Sequence, residues 1–184
     1  MNIGVDVGGT KVGAGLVANS KVLKKSEIRH DFNVTSEQII ESIITLVNQL
    51  PDKSPKGIGI GVPGILSKDR RIWIRSPNQH KIKNLRLPAI ISRELGIKAK
   101  VENDANAIAL GELHYGIGKH EDNFIVITFG GGIGAGIIID RKLYVGKASA
   151  GEIGHMTISE NGLKCACGSR GCWEEYVSVK AVRR

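Results

Sequence analysis

His155 is followed, after nine residues, by Cys165, Cys167 and Cys172, and these are the only cysteines in the chain. Imidazole and thiolate are the ligands of closed tetrahedral zinc sites, and Gly168 and Gly171 permit the tight turns such a knot requires, so the spacing points to a Cys₃His metal site. The plainer alternative is a group of buried thiols beside an unrelated histidine. Three cysteines this close together cannot build the disulfide framework of a small secreted domain. A metal would fix the tautomer of His155 and leave its other ring nitrogen for a ligand, with Glu152 and Glu174 flanking the knot as acceptors for hydroxyl groups such as those of a sugar.

Two glycine turns suggest a second kind of chemistry. Asp6-Val7-Gly8-Gly9-Thr10-Lys11 sets an acid at a strand end before glycines and a hydroxyl. Glycine lets backbone N–H groups approach a phosphate, threonine adds a donor, and the aspartate can hold magnesium, usually through water. A type I′ hairpin turn is the structural alternative. Thr128-Phe129-Gly130-Gly131-Gly132-Ile133-Gly134 repeats the device later in the chain. Two such turns at one register would hold a phosphate chain from both sides, as a kinase or ATPase with a central cleft requires. Neither has Walker spacing, and neither opens a Rossmann helix.

Between the turns lies Glu102-Asn103-Asp104-Ala105-Asn106. Asn103 or Asp104 suits a helix N-cap. The functional alternative is a carboxylate, Asp104, that accepts the proton of a substrate hydroxyl attacking a phosphoryl group, with Asn103 fixing that substrate.

The elements that must position these residues are legible from hydrophobic periodicity. Asn2 to Val7, Val12 to Ala18 and Lys21 to Arg29 predict a three-stranded meander. Thr35 with Gln38 forms a capping box ahead of a helix whose apolar residues run from Ile39 to Leu50. Gly57 to Val62 predicts a buried strand, Pro88 to Leu95 a helix closed by Gly96, Lys98 to Glu102 a strand and Asp104 to Tyr115 a helix. Gly116 to Asp122 is expected to be a linker before a second strand pair, Asn123 to Phe129 and Ala135 to Asp140. The class is α/β, a mixed sheet covered by helices.

Composition narrows the function. The 184 residues carry a net charge of +8, with 41% hydrophobic and 24% charged residues, which excludes a disordered tail. No apolar run approaches the length of a membrane span, and Asp6 stands where a signal peptide would be apolar, so a soluble cytoplasmic protein with no membrane partner is expected. Residues 68 to 100 hold ten Lys or Arg against Asp69 and Glu94 and so account for the whole net charge. Such a segment is a solvated face or attracts a polyanion; with 4% aromatics and no RNA-binding motif, no nucleic-acid partner is expected.

Together the ordered motifs DVGGTK, ENDAN and GEIGH followed by CACGSRGCWE resemble those of the ROK proteins (repressor, open reading frame, kinase), sugar kinases of the actin-like ATPase (ribonuclease H-like) fold. The resemblance runs from Asp6 to Glu174. It implies a first lobe over residues 1–115 that is largely complete and a partial second lobe over 116–184. It further implies ATP-dependent phosphorylation of a hexose, glucose foremost, with Asp104 as catalytic base. Asn78, Asn103, Asp104, Glu152, His155 and Glu174 would contact the sugar, and the backbone at Gly64 would close the pocket. His155, Cys165, Cys167 and Cys172 match the structural zinc ligands. Asp6, Gly8, Gly9, Thr10 and Lys11, with Thr128, Gly130, Gly131, Gly132 and Gly134, match the two phosphate turns that hold MgATP. Family repressors carry a DNA-binding domain ahead of the first turn; with that turn beginning at Asp6, none is expected here. Similar kinases also continue well beyond Arg184, into the adenine pocket, and are often homodimers. Two alternatives follow: a sugar-binding module without catalysis, or a kinase that takes polyphosphate as donor.

Overall fold

The computed structural model describes all residues except Phe32, Asp52, Lys53, Pro77, Asn78 and His80. The chain folds as two compact units, Met1–Asp104 and Ala105–Arg184.

In the first unit, β1 (Asn2–Val7), β2 (Lys11–Ala18) and β3 (Lys21–Arg29) form the expected antiparallel meander. α1 (Ser36–Asn48) begins at Thr35, whose side chain caps the amide of Gln38 while the Gln38 side chain returns to the Thr35 amide. β4 (Ile58–Val62) then pairs parallel with β1. β5 (Ile65–Leu66), β6 (Trp73–Arg75) and β7 (Lys83–Leu85) make a small separate antiparallel sheet that periodicity did not predict. Its strands are too short to show alternation, and Trp73 anchors it, fully buried, with its indole N–H on the Pro63 carbonyl at 2.9 Å. α2 (Leu87–Leu95) ends at Gly96 in the left-handed conformation, and β8 (Ala99–Asn103) pairs parallel with β4.

The main sheet therefore runs β3-β2-β1-β4-β8. Strict alternation turns Ile3, Val5 and Val7 of β1, with Ile58, Ile60 and Val62 of β4, into the core beneath α1 and α2. A period of two then sends Asp6 to the opposite face. β3, at the edge, is mostly exposed and bears Lys21, Lys24 and Lys25, charges that discourage pairing with another chain.

α3 (Asp104–Tyr115) follows β8 without a break. In the second unit its residues Ala109 and Leu113 pack with Ile138, Phe124, Val126 and Leu143. These come from β9 (Phe124–Phe129), β10 (Ile133–Ile139) and β11 (Lys142–Tyr144), a sheet in the order β11-β10-β9. The expected linker is instead tied down: residues Ile117–His120 form a 3₁₀ turn, the Ile117 amide donates to the Glu112 carboxylate at 2.9 Å, and Gly118 is buried. The second sheet face leaves Ile125, Ile127, Phe129, Ile139 and Tyr144 exposed. A 3₁₀ turn at Ile153–His155 and two short helices, α4 (Glu174–Val177) and α5 (Val179–Val182), complete the unit.

Candidate functional site

The first unit gathers its candidate residues at one edge of the sheet. In register, Asp6 lies beside Gly61 and Gly61 beside Glu102, so β1, β4 and β8 end together. The Asp6 turn, the Pro63-Gly64 corner and Asp104 all leave from these carboxyl ends, where open α/β sheets place their ligands. β1 and β8 lie two strand spacings apart, about 10 Å, enough for a phosphoryl group between a turn on one and a carboxylate on the other.

Within the first turn the Gly8 amide donates to the Lys11 carbonyl at 2.8 Å, and Val7 pairs with Val12. Neither Gly8 nor Gly9 is among the residues with left-handed φ, so the type I′ alternative does not form here. Partial burial raises the pKa of Asp6, with Lys11 opposing, even though part of its side chain still meets solvent. Lys11 itself pairs with Glu27 at 2.8 Å. A cavity of about 630 Å³ beside the turn is lined by Thr10, Lys11, Arg29, His30 and Asp31.

Two supports of this edge escaped the sequence reading. Gln79, fully buried, donates to the Gly8 carbonyl at 2.7 Å and receives the Ser76 hydroxyl at 2.6 Å. Arg70 donates from Nε to Glu102 at 2.7 Å and from Nη1 to the Ser67 carbonyl at 3.2 Å; the second Glu102 oxygen accepts the Asn103 amide at 2.9 Å. Arg70 thus leaves the basic segment to become a partly buried bracket. Asn103 donates from its side-chain amide to the Gly64 carbonyl at 3.2 Å, joining two predicted site residues. Asp104 is half-buried in the first turn of α3, where a carboxylate complements the helix dipole. Asn78 lies outside the described residues.

The second unit brings the histidine and cysteines together. The ligand atoms of His155, Cys165, Cys167 and Cys172 all lie within 4.8 Å of one another. Cys165 Sγ is 3.7 Å from His155 Nδ1, and Cys167 Sγ is 3.6 Å from Cys172 Sγ. A tetrahedron with Zn–S bonds of about 2.3 Å has edges of about 3.8 Å. The donor set therefore fits zinc in size as well as in softness. Burial raises the thiol pKa values of Cys165 and Cys172. Burial works in the same direction on Cys167, but the Ser169 amide and the neighbouring thiols outweigh it and hold that sulfur below the ordinary thiol value.

His155 turns Nδ1 to this cluster and Nε2 to Glu152, at 3.9 Å. The Glu174 carboxylate, only 18% exposed, reaches His155 Nδ1 and Cys165 Sγ, each at 3.3 Å. Its other oxygen accepts the Ile133 amide at 3.4 Å, at the end of the second glycine turn. In that turn the Gly130 amide donates to the Gly132 carbonyl at 3.0 Å.

Comparison with known proteins gives these motifs a lineage. The sequence pattern of the ROK family matches residues 2–184. A xylose repressor of Bacillus subtilis (strain 168) is 38% identical, covering 98% of this chain and 48% of its own length. A glucokinase of Thermotoga maritima is 37% identical, covering 99% of this chain and 58% of its own. Among solved structures, a ROK family glucokinase from Streptomyces griseus in complex with glucose and AMPPNP is 38% identical with a TM-score of 0.89, covering 98% of this chain and 58% of that one. The fold is the actin-like ATPase fold of such kinases. The chain spans about half to three-fifths of the length of these relatives.

Proposed function

The chain belongs to the ROK family, and on that premise we propose that it serves ATP-dependent phosphorylation of a hexose in the cytoplasm, with glucose the first substrate to test. The observation that carries this reading is the shared strand edge: the Asp6 turn and Asp104 leave from the carboxyl ends of β1 and β8, on either side of β4. In functional terms residues 1–115 carry the first phosphate turn and the base, and residues 116–184 carry the second turn and the metal cluster.

Asp104 accepts the proton from the sugar hydroxyl as its oxygen attacks the γ-phosphorus, and ADP leaves. Asn103, braced by Gly64 and by the Arg70–Glu102 pair, orients that hydroxyl. Further sugar hydroxyls fall to Asn78, to Glu152 and Glu174 as acceptors, and to His155 through Nε2. Backbone amides of Gly8, Gly9 and Thr10, with Lys11, and those of Gly130 to Gly134 beside Thr128, hold the donor's phosphates. Asp6 would hold, through water, the magnesium that accompanies ATP, and that ion would supply charge neutralisation at those phosphates. His155, Cys165, Cys167 and Cys172 would hold zinc in a structural role.

A base contributes about 10²–10⁴-fold, so Asp104→Asn is expected to reduce turnover by at least two orders of magnitude while sugar binding persists. Turnover at the wild-type level would remove Asp104 from this role. The repressor relative favours a second reading, recognition of a sugar without its phosphorylation. Sugar-dependent thermal stabilisation with no sugar phosphate formed would select it.

A further inference from the structure

The metal cluster and the second glycine turn share more than proximity. Two segments bear the metal ligands, and both lie against the same few atoms of β10 and the turn before it. His155 ends the 3₁₀ turn whose Gly154 packs so closely on the Ile133 carbonyl that a side chain there would collide with it. Cys172 leads directly into α4, whose first residue, Glu174, accepts the Ile133 amide. Gly132 completes the fit, since a Cβ at that position would stand 2.7 Å from Glu174 Oε2. A second tie runs from the same stretch, where the Val179 amide donates to the Gly130 carbonyl at 2.9 Å.

Resting on the zinc reading above, we infer that the Cys₃His centre sets the conformation of the Gly130–Gly134 phosphate turn, with Glu174 as the positioning residue that transmits it. Bonds from one ion to His155 and Cys172 would lock together the segment against the Ile133 carbonyl and the segment against the Ile133 amide. Glu174, two residues beyond a ligand, would then hold its carboxylate over the turn with its backbone fixed. Ordering of the turn in advance of its anion lowers the entropic cost of binding it. Coupling is reciprocal, so a phosphate anion on the turn strengthens metal retention by the same factor.

Hydrogen exchange of the peptide covering residues 130–134 tests this, read beside metal content, in the zinc-loaded and chelator-stripped chain and in zinc-loaded Glu174→Ala and Glu174→Gln. Zinc is expected to slow exchange at the turn by about fivefold or more, the lower end of typical site coupling. At equal metal content Glu174→Ala should exchange faster there, with β9 unchanged. Glu174→Gln, which keeps an acceptor for the Ile133 amide, should restore most of the protection. Zinc bound at one equivalent with no change at the turn overturns the inference, and so does Glu174→Ala that matches wild type. Absence of zinc overturns the metal reading itself, and the metal count tells that failure apart. Should stripping unfold the whole unit, the comparison among zinc-loaded variants still decides. Zinc affinity, measured by equilibrium competition with and without inorganic phosphate, supplies the reciprocal arm, and an unchanged affinity counts against the coupling.

Discussion

Asp6 illustrates a residue whose cost to the fold is tied to its use. Burial raises its pKa above 3.8, with Lys11 only partly opposing. A carboxyl that titrates higher in the folded chain favours folding in its protonated form. That contribution is present below the unfolded pKa and is lost as pH rises through the folded one, so at neutral pH ionised Asp6 is a net cost. Asp6→Asn should therefore raise the melting temperature near pH 7, with the gain shrinking as pH falls toward the carboxylate range, about pH 4. The same change should weaken catalysis supported by MgATP. A lower melting temperature for the variant at pH 7 would contradict the assignment. Glu174 is the corresponding residue in the second unit, reaching the His–Cys cluster with one oxygen and the second glycine turn with the other.

At the scale of elements, α1 shows what local sequence encodes. Thr35→Ala removes the cap of its first turn and should cost about 1 kcal/mol in chemical denaturation. Ile43, fully buried on the inner face of the same helix, should cost about 2–5 kcal/mol on truncation to alanine. Ile127, 40% exposed on the open face of the second sheet, should cost about 0.5 kcal/mol or less. Equal losses at Ile43 and Ile127 would mean that the burial pattern is misassigned. The helix was legible because a capping box and a 3.6-residue repeat are written within consecutive residues. The meander and β8 were legible for the same reason, from a period of two. The β5-β6-β7 sheet was not, since strands of two or three residues show no period and their pairing rests on Trp73, a single aromatic in a basic stretch. Gln79 and Arg70 escaped because their partners, the Gly8 carbonyl and Glu102, are 71 and 32 residues away. A buried glutamine and a bracketing arginine look like surface residues until the sheet aligns the strand ends. The His155, Cys165, Cys167 and Cys172 cluster needed no such help, as spacing alone is enough to expect that these four side chains meet.

At the scale of the molecule, the two units differ in how they are held. The first has a large core from β1, β2, β4, α1 and α2. In the second, the buried hydrophobic residues are Ala105, Ala109, Leu113, Ile133, Ala135 and Ile138 with Cys165 and Cys172, three of them only alanines, while Phe124, Val126 and Leu143 are partly covered. A core that small depends on other bonds, and metal binding to a folded site adds directly to folding free energy. Chelation should therefore lower the melting temperature of residues 105–184 while the first unit keeps its transition, as followed by exchange of peptides from each; a chelator that moves neither, or both alike, would contradict this division. Kinase and repressor relatives both match nearly all of this chain, so catalysis has to be tested apart from sugar recognition. The most direct test is formation of sugar phosphate from glucose and MgATP by the purified chain beside Asp104→Asn. Product is expected from the wild type and at least a hundredfold less from the variant. Binding of glucose by both, with product from neither, would contradict the kinase reading.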